Sequence, residues 1–362
     1  MKKIIFYYHS MHPSGGVERV ISNLINNLSD EYEITLLVKD DGISFYKINS
    51  SVKIISLECP LKLNMNNRFK RIINTFKNLI ISLFKLHHFL SNTNYDYIYT
   101  ASPLGSFEVY YALKSGRDKI IVSEHASKDA YNSIYSYFKK IIYPKVKTIV
   151  VPTTLDTERY ISENCRAIYI PHLSTFDVKQ LTEIKKENIV LNVGRLTSDK
   201  QQNILVDIWH KLINEYKIKN WNLYIVGAGE EEENLLSKIR EYNLDDTVKI
   251  IPPTKNIQSY YEKAKIFCFT SKMEGFGMVL LESMAFGTPC ISFNCPSGPR
   301  DIIKDNENGF LIKCFDEYEY LQKLLLLIND PNLLMKFSKE SLHTVEKWDN
   351  ASIMKKWRDV FK

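Results

Sequence analysis

The sequence predicts an α/β protein built from two doubly wound, Rossmann-like domains, each a parallel β-sheet with helices on both faces. Short apolar runs typical of buried strands alternate with segments of helical apolar spacing, and this alternation occurs twice along the chain. The chain has 362 residues, enough for two domains with separate hydrophobic cores. We therefore expect an N-terminal domain over residues 1–171, a C-terminal domain over residues 172–346 and a terminal helix over residues 347–362.

The N-terminal domain is predicted to open with a βαβ unit. Lys3–Tyr8 and Glu33–Val38 are strand-like runs, and Val17–Leu28 between them has apolar residues at helical spacing. Gly15 and Gly16 come directly before the helix, where free backbone N–H groups favour an anion such as a phosphate. This loop lacks the G-x-G-x-x-G pattern of dinucleotide-binding proteins, which argues against a nicotinamide enzyme. A tight turn without a ligand is the alternative interpretation.

Further strands of the N-terminal domain are predicted at Asp96–Thr100, Lys119–Ser123 and Ile149–Val151. Glu124 and His125 come directly after the second of these runs. Parallel sheets bind ligands at the edge formed by the carboxyl ends of their strands, so we expect His125 in the crevice of this domain, with Glu124 beside it. A loop histidine that contacts no ligand is the alternative.

The C-terminal domain is predicted to follow a polar hinge over residues 172–187 and to contain a second series of strands. Gly194 and Arg195 follow the first of these strands, and Lys200 lies on the same loop. Two fixed cations on such a loop can stabilise the developing charge of a leaving diphosphate. Solvated surface charges are the alternative. The predicted strands are Ile189–Val193, Asn222–Val226, Val248–Ile251, Ile266–Thr270 and Cys290–Phe293.

The stretch Glu274–Glu282, EGFGMVLLE, carries the densest set of candidate site residues. It leads from a glycine loop into a helix predicted over Met278–Phe286, and a helix N-terminus reached through glycines accepts anions. Glu274 lies in the loop and Glu282 lies one to two turns into the helix. The two carboxylates can therefore accept hydrogen bonds from hydroxyls at opposite ends of a diphosphate-linked ligand. An ordinary strand–helix turn is the alternative for a glycine loop alone.

Together these motifs resemble those of glycosyltransferase family 4, retaining enzymes of the GT-B fold that use nucleotide sugars. The resemblance rests on EGFGMVLLE followed by AFGTP, on GGVER at residues 15–19, and on Gly194-Arg195 with Lys200. It implies two Rossmann-like domains that face each other across a cleft. It also implies that the last helix, Lys347–Lys362, crosses back to the N-terminal domain through its large apolar side chains; a charged tail without a role is the alternative.

The resemblance implies a role for each motif residue. Glu282 would hold the ribose hydroxyls, and Arg195 with Lys200 would hold the donor diphosphate. Glu274 would orient the transferred sugar, and His125 would contact it. The remaining positions implied to bind the donor are Gly15, Gly16, Gly194, Gly275, Phe276, Gly277, Met278 and Val279.

The implied reaction moves a hexose or N-acetylhexosamine from a UDP-sugar to a glycan acceptor that we expect to be lipid-linked. The loop Asn294–Arg300 resembles the form found in enzymes that use UDP-galactose, which favours that donor type. No DxD metal motif stands in a suitable loop, so we expect a metal-independent enzyme without a cofactor, in which the UDP-sugar is a co-substrate. The expected products are capsule, O-antigen of lipopolysaccharide, or exopolysaccharide.

Three other functions stay open as interpretations of the same sequence. A phosphorylase of this fold would need a lysine site for pyridoxal phosphate, and no motif indicates one. A nucleotide-sugar epimerase would leave the basic helix described below without a use. A non-catalytic protein of polysaccharide assembly would bind its partners without turnover.

The basic excess of the chain lies in its N-terminal half, where residues 1–171 hold 22 lysines and arginines against 15 aspartates and glutamates. The segment Leu61–Leu90 combines apolar residues at helical spacing with basic residues and has no acidic residue. It either packs on the core with solvated lysines or lies on an anionic membrane surface. Phe138–Lys147 adds a second basic, aromatic segment. The basic residues of the first segment are Lys62, Arg68, Lys70, Arg71, Lys77 and Lys85.

Composition also limits the partners and the location. No nucleic-acid recognition motif accompanies the basic charge, so nucleic acid is not expected as a partner. The six cysteines show no C-x-x-C spacing, which favours free thiols in a reducing compartment. No window holds enough uncharged apolar residues for a membrane-spanning helix. We expect a cytoplasmic protein, with peripheral attachment to the inner face of the cell membrane if the basic helix binds lipid.

Overall fold

A computed structural model describes residues 1–60, 68–176 and 186–362, without the side chains of residues 68–73. Within this part of the chain there are two compact units. Unit 1 comprises Met1–Leu173 with Ala351–Lys362, and unit 2 comprises Ser174–Asn350. The sequence placed the boundaries after residues 171 and 346. Residues 177–185 of the predicted hinge lie outside the described residues.

A seven-stranded sheet in which neighbouring strands run parallel forms the centre of unit 1. The strand order is β3-β2-β1-β4-β5-β6-β7, so the chain reverses its direction of travel across the sheet between β1 and β4. Such a switch point leaves a crevice at the carboxyl ends of the strands. The strands are β1 (Lys3–Tyr8), β2 (Glu33–Val38), β3 (Lys53–Ser56), β4 (Tyr97–Thr100), β5 (Ile120–Ser123), β6 (Thr148–Val151) and β7 (Ala167–Tyr169).

Helices cover the sheet of unit 1 because their apolar faces meet its buried side chains. In the first helix, Val20, Ile21, Leu24 and Leu28 recur at helical spacing and are buried. The third helix begins where the Ser102 hydroxyl accepts a hydrogen bond from the Gly105 N–H at 3.1 Å. The helices are α1 (Gly16–Leu28), α2 (Arg68–Ser91), α3 (Pro103–Ala112), α4 (Ser133–Ile142) and α5 (Thr154–Ser162).

Unit 2 has a six-stranded parallel sheet with the order β10-β9-β8-β11-β12-β13. Its switch point lies between β8 and β11, which pair directly although two strands and three helices separate them along the chain. The loops after these two strands therefore lie side by side. The strands are β8 (Ile189–Val193), β9 (Asn222–Val226), β10 (Val248–Ile251), β11 (Ile266–Phe269), β12 (Cys290–Phe293) and β13 (Gly309–Ile312).

The helices of unit 2 bury a core that includes Trp209, Leu324 and Phe337. The helix of the EGFGMVLLE motif is shorter than the sequence predicted. It ends at Met284 rather than Phe286, ahead of Gly287, which has a φ of +64°. The helices are α6 (Gln202–Asn214), α7 (Glu232–Glu241), α8 (Gln258–Lys263), α9 (Met278–Met284), α10 (Pro299–Ile302), α11 (Glu317–Asn329) and α12 (Pro331–Glu346).

The last helix, α13 (Asn350–Val360), lies almost wholly in unit 1. Phe361 directly after it has its ring centroid 6.4 Å from that of Phe6 in β1, and Arg358 pairs with Glu31 at 2.7 Å. Trp348, which the sequence grouped with this helix, precedes it and belongs to unit 2. None of the helices in the described residues is long and apolar enough to cross a membrane.

Candidate active site

The loops after β8 and β11 meet at the carboxyl edge of the unit 2 sheet. Two hydrogen bonds join them: the Thr270 hydroxyl donates to the Lys200 carbonyl at 3.0 Å, and the Lys272 N–H donates to the Asp199 carbonyl at 3.0 Å. The predicted site residues Arg195 and Lys200 lie on the first loop, and Glu274 lies on the second. The fold thus brings together residues that are more than seventy positions apart in the sequence.

An ion pair between Lys200 and Glu274 links the two loops. The two side chains are 18% and 11% exposed, so the pair is partly shielded but open to solvent. The Lys200 ammonium lies 5.6 Å from the centre of the Phe269 ring, and the Ser297 hydroxyl donates to the Glu274 carbonyl at 3.1 Å. The sequence assigned Lys200 and Glu274 to different parts of a donor. The structure adds that they are direct partners.

Arg195 has an exposed side chain, and its backbone is held in place. Its carbonyl accepts a hydrogen bond from the Gln202 side-chain amide at 3.0 Å, and the Gly194 N–H donates to the Val226 carbonyl at 3.0 Å. A Cβ atom at Gly194 would make only ordinary contacts at 3.9 Å with Lys200 and Gln202. The guanidinium is therefore presented at the edge of the sheet on a fixed loop.

Glu282 is 3% exposed within α9, and its Oε2 accepts a hydrogen bond from the Tyr261 hydroxyl at 2.8 Å. Tyr261 lies in α8 and is fully buried. No sequence motif includes Tyr261. The one feature of the sequence that could have indicated it is the aromatic pair Tyr260-Tyr261 shortly before an apolar strand. Glu282 is thus a buried carboxylate supported by a neutral donor.

The glycine loop before α9 owes its shape to one residue above all. Gly277 caps α9 with a φ of +91°, a left-handed conformation that disfavours residues with a Cβ. Phe276 is 2% exposed and its ring centroid lies 5.7 Å from that of Trp348, so its side chain anchors the loop in the core. Gly275, Met278 and Val279 are half-buried. Because α9 has only seven residues, its dipole is short. The cations on the neighbouring loop therefore add to the attraction that the helix N-terminus has for an anion.

In unit 1, Gly15 and Gly16 lie at the start of α1 as predicted. A Cβ atom at Gly16 would have no described atom within 4 Å. A Cβ atom at Gly15 would overlap the carboxylate of Glu18, which is 5% exposed and lies in the first turn of the helix. The N-terminus of α1, predicted to favour a phosphate, therefore already has a carboxylate of its own chain beside it.

His125 lies directly after β5, where the sequence placed it. Its Nε2 is 3.2 Å from the Tyr99 hydroxyl, and its ring stacks on that of His172 with centroids 5.2 Å apart. Its buried Nδ1 has no hydrogen-bond partner among the described residues. Burial and the neighbouring His172 hold the pKa of His125 well below its ordinary value, and burial lowers the pKa of His172 to about 3. Both rings are therefore neutral at physiological pH.

Glu124 does not serve as a second ligand-facing group at this position. It is 2% exposed, and its carboxylate pairs with Lys139 at 3.1 Å and accepts a hydrogen bond from Tyr143. A buried carboxylate that is neutralised in this way supports the fold of unit 1.

Among the residues that the structure describes, one group of side chains could share a metal ion, namely His12, Asp40 and Asp41 of unit 1. His12 and Asp41 are exposed and pair with each other at 2.8 Å. Metal independence stays a prediction.

Comparison with known proteins gives a consistent result. Residues 174–343 match the family model described as glycosyl transferases group 1. The amylovoran biosynthesis glycosyltransferase AmsD of Erwinia amylovora is 29% identical over 99% of this chain and 99% of its own length. A Campylobacter jejuni α-1,4-N-acetyl-D-galactosaminyltransferase, whose name gives an undecaprenol-linked acceptor, is 28% identical over 99% of this chain and 97% of its own length.

Solved structures share the fold at lower sequence identity. A mutant of S. aureus TarM in complex with fondaparinux, α-GlcNAc-glycerol and UDP has a TM-score of 0.80 and 17% identity, with full coverage of both chains. Anabaena HepE in complex with UDP has a TM-score of 0.74 and 16% identity, with 99% of each chain covered.

Proposed function

Since this chain is a glycosyltransferase of polysaccharide biosynthesis with the GT-B fold, whose residues 174–343 belong to the group 1 family, we propose that its donor is a UDP-sugar and its acceptor a lipid-linked glycan. The transferred group is a hexose or N-acetylhexosamine, with UDP-galactose as the favoured donor type. The observation that carries this proposal is the ion pair of Lys200 with Glu274 at the switch point of unit 2. Arg195 lies on the same loop as Lys200, and the buried Glu282 lies in the same unit.

The donor diphosphate is assigned to the two cations. Lys200 already balances a carboxylate, so a bound diphosphate would compete with Glu274 for its ammonium. Arg195 has an exposed guanidinium, whose planar set of N–H donors suits phosphate oxygens. Glu282 accepts hydrogen bonds from the ribose hydroxyls, and Glu274 with the Gly275–Gly277 backbone orients the sugar. UDP complexes of proteins with this fold support the choice of UDP.

The chemistry follows from these charges. Cleavage of the anomeric C–O bond leaves an oxocarbenium-like centre and places negative charge on the departing UDP. Fixed cations that meet this charge lower the barrier, because their interaction is stronger in the transition state than with the intact donor. Attack by the acceptor on the same face retains the configuration, and the leaving phosphate accepts the proton of the acceptor hydroxyl. No protein base is needed for this step.

The sugar contacts are assigned to the loop Asn294–Arg300 and to His125. In this loop Cys295 and Ser297 are buried, while the side chains of Asn294 and Arg300 are exposed. A neutral His125 with a buried Nδ1 suits a hydrogen bond to a sugar hydroxyl. These residues are where a preference for galactose over glucose would reside.

A lipid-linked acceptor requires that the protein approach a membrane, and α2 offers a surface for this. Phe76, Ile80 and Phe84 recur one turn apart on α2 and are 64%, 53% and 74% exposed. Lys77 beside them is exposed. Large apolar side chains on one helix face, flanked by a cation, fit the interface of an anionic bilayer. Residues 61–67 and the side chains of Arg68, Lys70 and Arg71 lie outside the described residues.

Several lysines predicted for this surface have other partners. The Lys85 ammonium donates to the carbonyls of Leu57 at 2.8 Å and Glu58 at 3.1 Å. Lys139 is buried against Glu124, and the Lys147 ammonium lies 3.9 Å from the centre of the Tyr97 ring. The described part of the surface is therefore more apolar than the sequence indicated.

Vesicle sedimentation with anionic lipid tests this surface. The wild type should bind the vesicles, and the double variant Phe76→Ser with Phe84→Ser should not, while its affinity for UDP stays unchanged. Equal vesicle binding by this variant would exclude the surface.

A panel of UDP-sugars tests the donor assignment. The enzyme should bind UDP and slowly hydrolyse one UDP-hexose without acceptor, releasing UDP. An epimerase would interconvert the hexoses without releasing UDP, and a non-catalytic assembly protein would do neither. Hydrolysis of a GDP- or ADP-sugar in place of the UDP-sugars would overturn the nucleotide choice.

A further inference from the structure

Tyr261 is placed where it can control the geometry of the donor site. Its hydroxyl donates to Oε2 of Glu282 at 2.8 Å, and both side chains are buried, with exposures of 0% and 3%. We propose that Tyr261 is a positioning residue that fixes the carboxylate of Glu282 in the orientation that receives the donor ribose. This inference rests on the proposed role of Glu282 in holding UDP.

A carboxylate on a glutamate side chain has rotatable bonds that a ligand would otherwise have to immobilise. A hydrogen bond to one oxygen fixes the plane of the carboxylate, and with it the direction of the other oxygen. This hydrogen bond therefore prepares Glu282 to accept hydrogen bonds from the ribose before UDP arrives.

Tyr261 can act in this way because it is itself immobilised. Its ring stacks on that of Phe286, with centroids 6.0 Å apart and planes 5° apart, and it has Phe267 and Phe176 at 6.1 Å. Its carbonyl accepts a hydrogen bond from the Lys186 ammonium at 3.1 Å. Lys186 also donates to the Thr288 hydroxyl at 2.5 Å, which ties the start of β8 to the turn after α9. A side chain whose ring is packed and whose backbone is hydrogen-bonded can hold a neighbouring side chain in a fixed orientation.

A hydrogen bond with only a structural role would contribute to the stability of the protein and would leave its affinity for UDP unchanged. Stability and UDP affinity are therefore measured separately. Tyr261→Phe keeps the ring and removes the hydroxyl. Tyr260→Phe is the matched control, because Tyr260 is the adjacent residue of the same helix and is only partly buried. UDP affinity is measured by calorimetry, together with the melting temperature of each variant.

We expect Tyr261→Phe to weaken UDP binding about tenfold, the size of effect that the loss of a hydrogen bond to a charged group produces. Tyr260→Phe should leave UDP affinity within about twofold of the wild type, since no described hydrogen bond depends on its hydroxyl. A folded Tyr261→Phe protein with wild-type UDP affinity would overturn the proposal.

A double-mutant cycle separates this inference from the proposed function. In a Glu282→Gln background, Tyr261→Phe should cause no further loss of UDP affinity, and additive effects would show that Tyr261 acts by another route. If Glu282→Gln alone leaves UDP affinity unchanged, the ribose assignment itself fails.

If Tyr261→Phe does not fold, Phe286→Leu is the second variant, because it loosens the packing of the Tyr261 ring and keeps the Tyr261 hydroxyl. It should weaken UDP binding by a smaller factor than Tyr261→Phe. Unchanged UDP affinity would contradict the proposal.

Discussion

The glycines at the carboxyl edges of the two sheets are under different constraints. In unit 2, a Cβ atom at Gly227 would overlap the Gly194 carbonyl, and one at Gly229 would overlap the Leu196 carbonyl. A Cβ atom at Gly298 would lie 2.5 Å from the Phe276 carbonyl. In unit 1, a Cβ atom at Gly16 would meet no described atom within 4 Å. Gly227, Gly229 and Gly298 are explained by the close approach of the loops of unit 2, whereas Gly16 is not required by the packing of unit 1.

Three ion pairs, two in unit 1 and one in unit 2, differ in how far they are buried. In unit 1 the ion pairs Lys39–Glu108 and Lys139–Glu124 are both buried, with exposures of 6% or less on every side chain. Glu108 also accepts hydrogen bonds from Tyr7 and Ser82, so its oxygens have protein partners. In unit 2 the Lys200–Glu274 pair stays partly exposed. A partly exposed pair can exchange a partner for a ligand at lower cost than a buried one, so the Lys200–Glu274 pair is more adaptable than these two pairs of unit 1.

The largest effect is expected from Gly229→Ala. The added methyl group would overlap the Leu196 carbonyl, and that carbonyl belongs to backbone that cannot rotate away. We expect unit 2 to lose at least about 3 kcal/mol of stability, the upper range for overpacking a fixed site. Urea unfolding followed by circular dichroism measures this. A loss below about 1 kcal/mol would show that the loops can separate without cost.

Lys200→Ala tests the adaptable charge. Removal of a fixed cation from the developing diphosphate charge should lower kcat by about 10²–10³ at nearly unchanged stability. Arg195→Ala should act in the same direction. Lys272→Ala is the matched control, because Lys272 also forms an ion pair across these two loops, with Asp199 at 3.1 Å. Equal turnover of the Lys200 and Lys272 variants would remove Lys200 from the mechanism.

Gly16→Ala is expected to change stability least. Because α1 begins at Gly16 and alanine has the higher helix propensity, the free energy of unfolding should stay the same or rise by up to about 1 kcal/mol. If a donor diphosphate approaches this backbone, UDP-sugar affinity should fall several-fold at the same time. Unchanged donor affinity in this variant would mean that the open space at Gly16 serves no ligand.

Strands with continuous apolar runs were predictable from the sequence, and several match to the residue, among them β1, β8 and β12. Three of the four edge strands, β3, β7 and β13, were not predicted, whereas the fourth, β10, was predicted to the residue. β3 is half exposed, β7 has three residues, and the apolar run of β13 is only three residues long after its glycine, so none has a run long enough to indicate a strand. The start of α9 at Met278 followed from the glycine loop before it, while its early end depends on the backbone at Gly287.

The sequence could predict on which loops and helices the candidate residues lie, but it could not predict their contacts. Motif spacing placed Lys200, Glu274, Glu282 and His125 on the correct loops and helix. The partners of three of them come from elsewhere in the chain: Glu274 for Lys200, Tyr261 for Glu282 and His172 for His125. Such contacts depend on which strands become neighbours at a switch point and on how side chains pack, and neither has a local signal.

The affinities of Glu282→Ala and Glu274→Ala for UDP test the central claim most directly. UDP has a ribose and a diphosphate but no transferred sugar. Glu282→Ala should therefore weaken UDP binding at least about tenfold, the loss expected when hydrogen bonds to a charged group are removed. Glu274→Ala should leave it intact or strengthen it, because Lys200 then has no competing carboxylate. Calorimetry with UDP on both folded variants would contradict this account if Glu274→Ala abolished binding while Glu282→Ala bound UDP like the wild type.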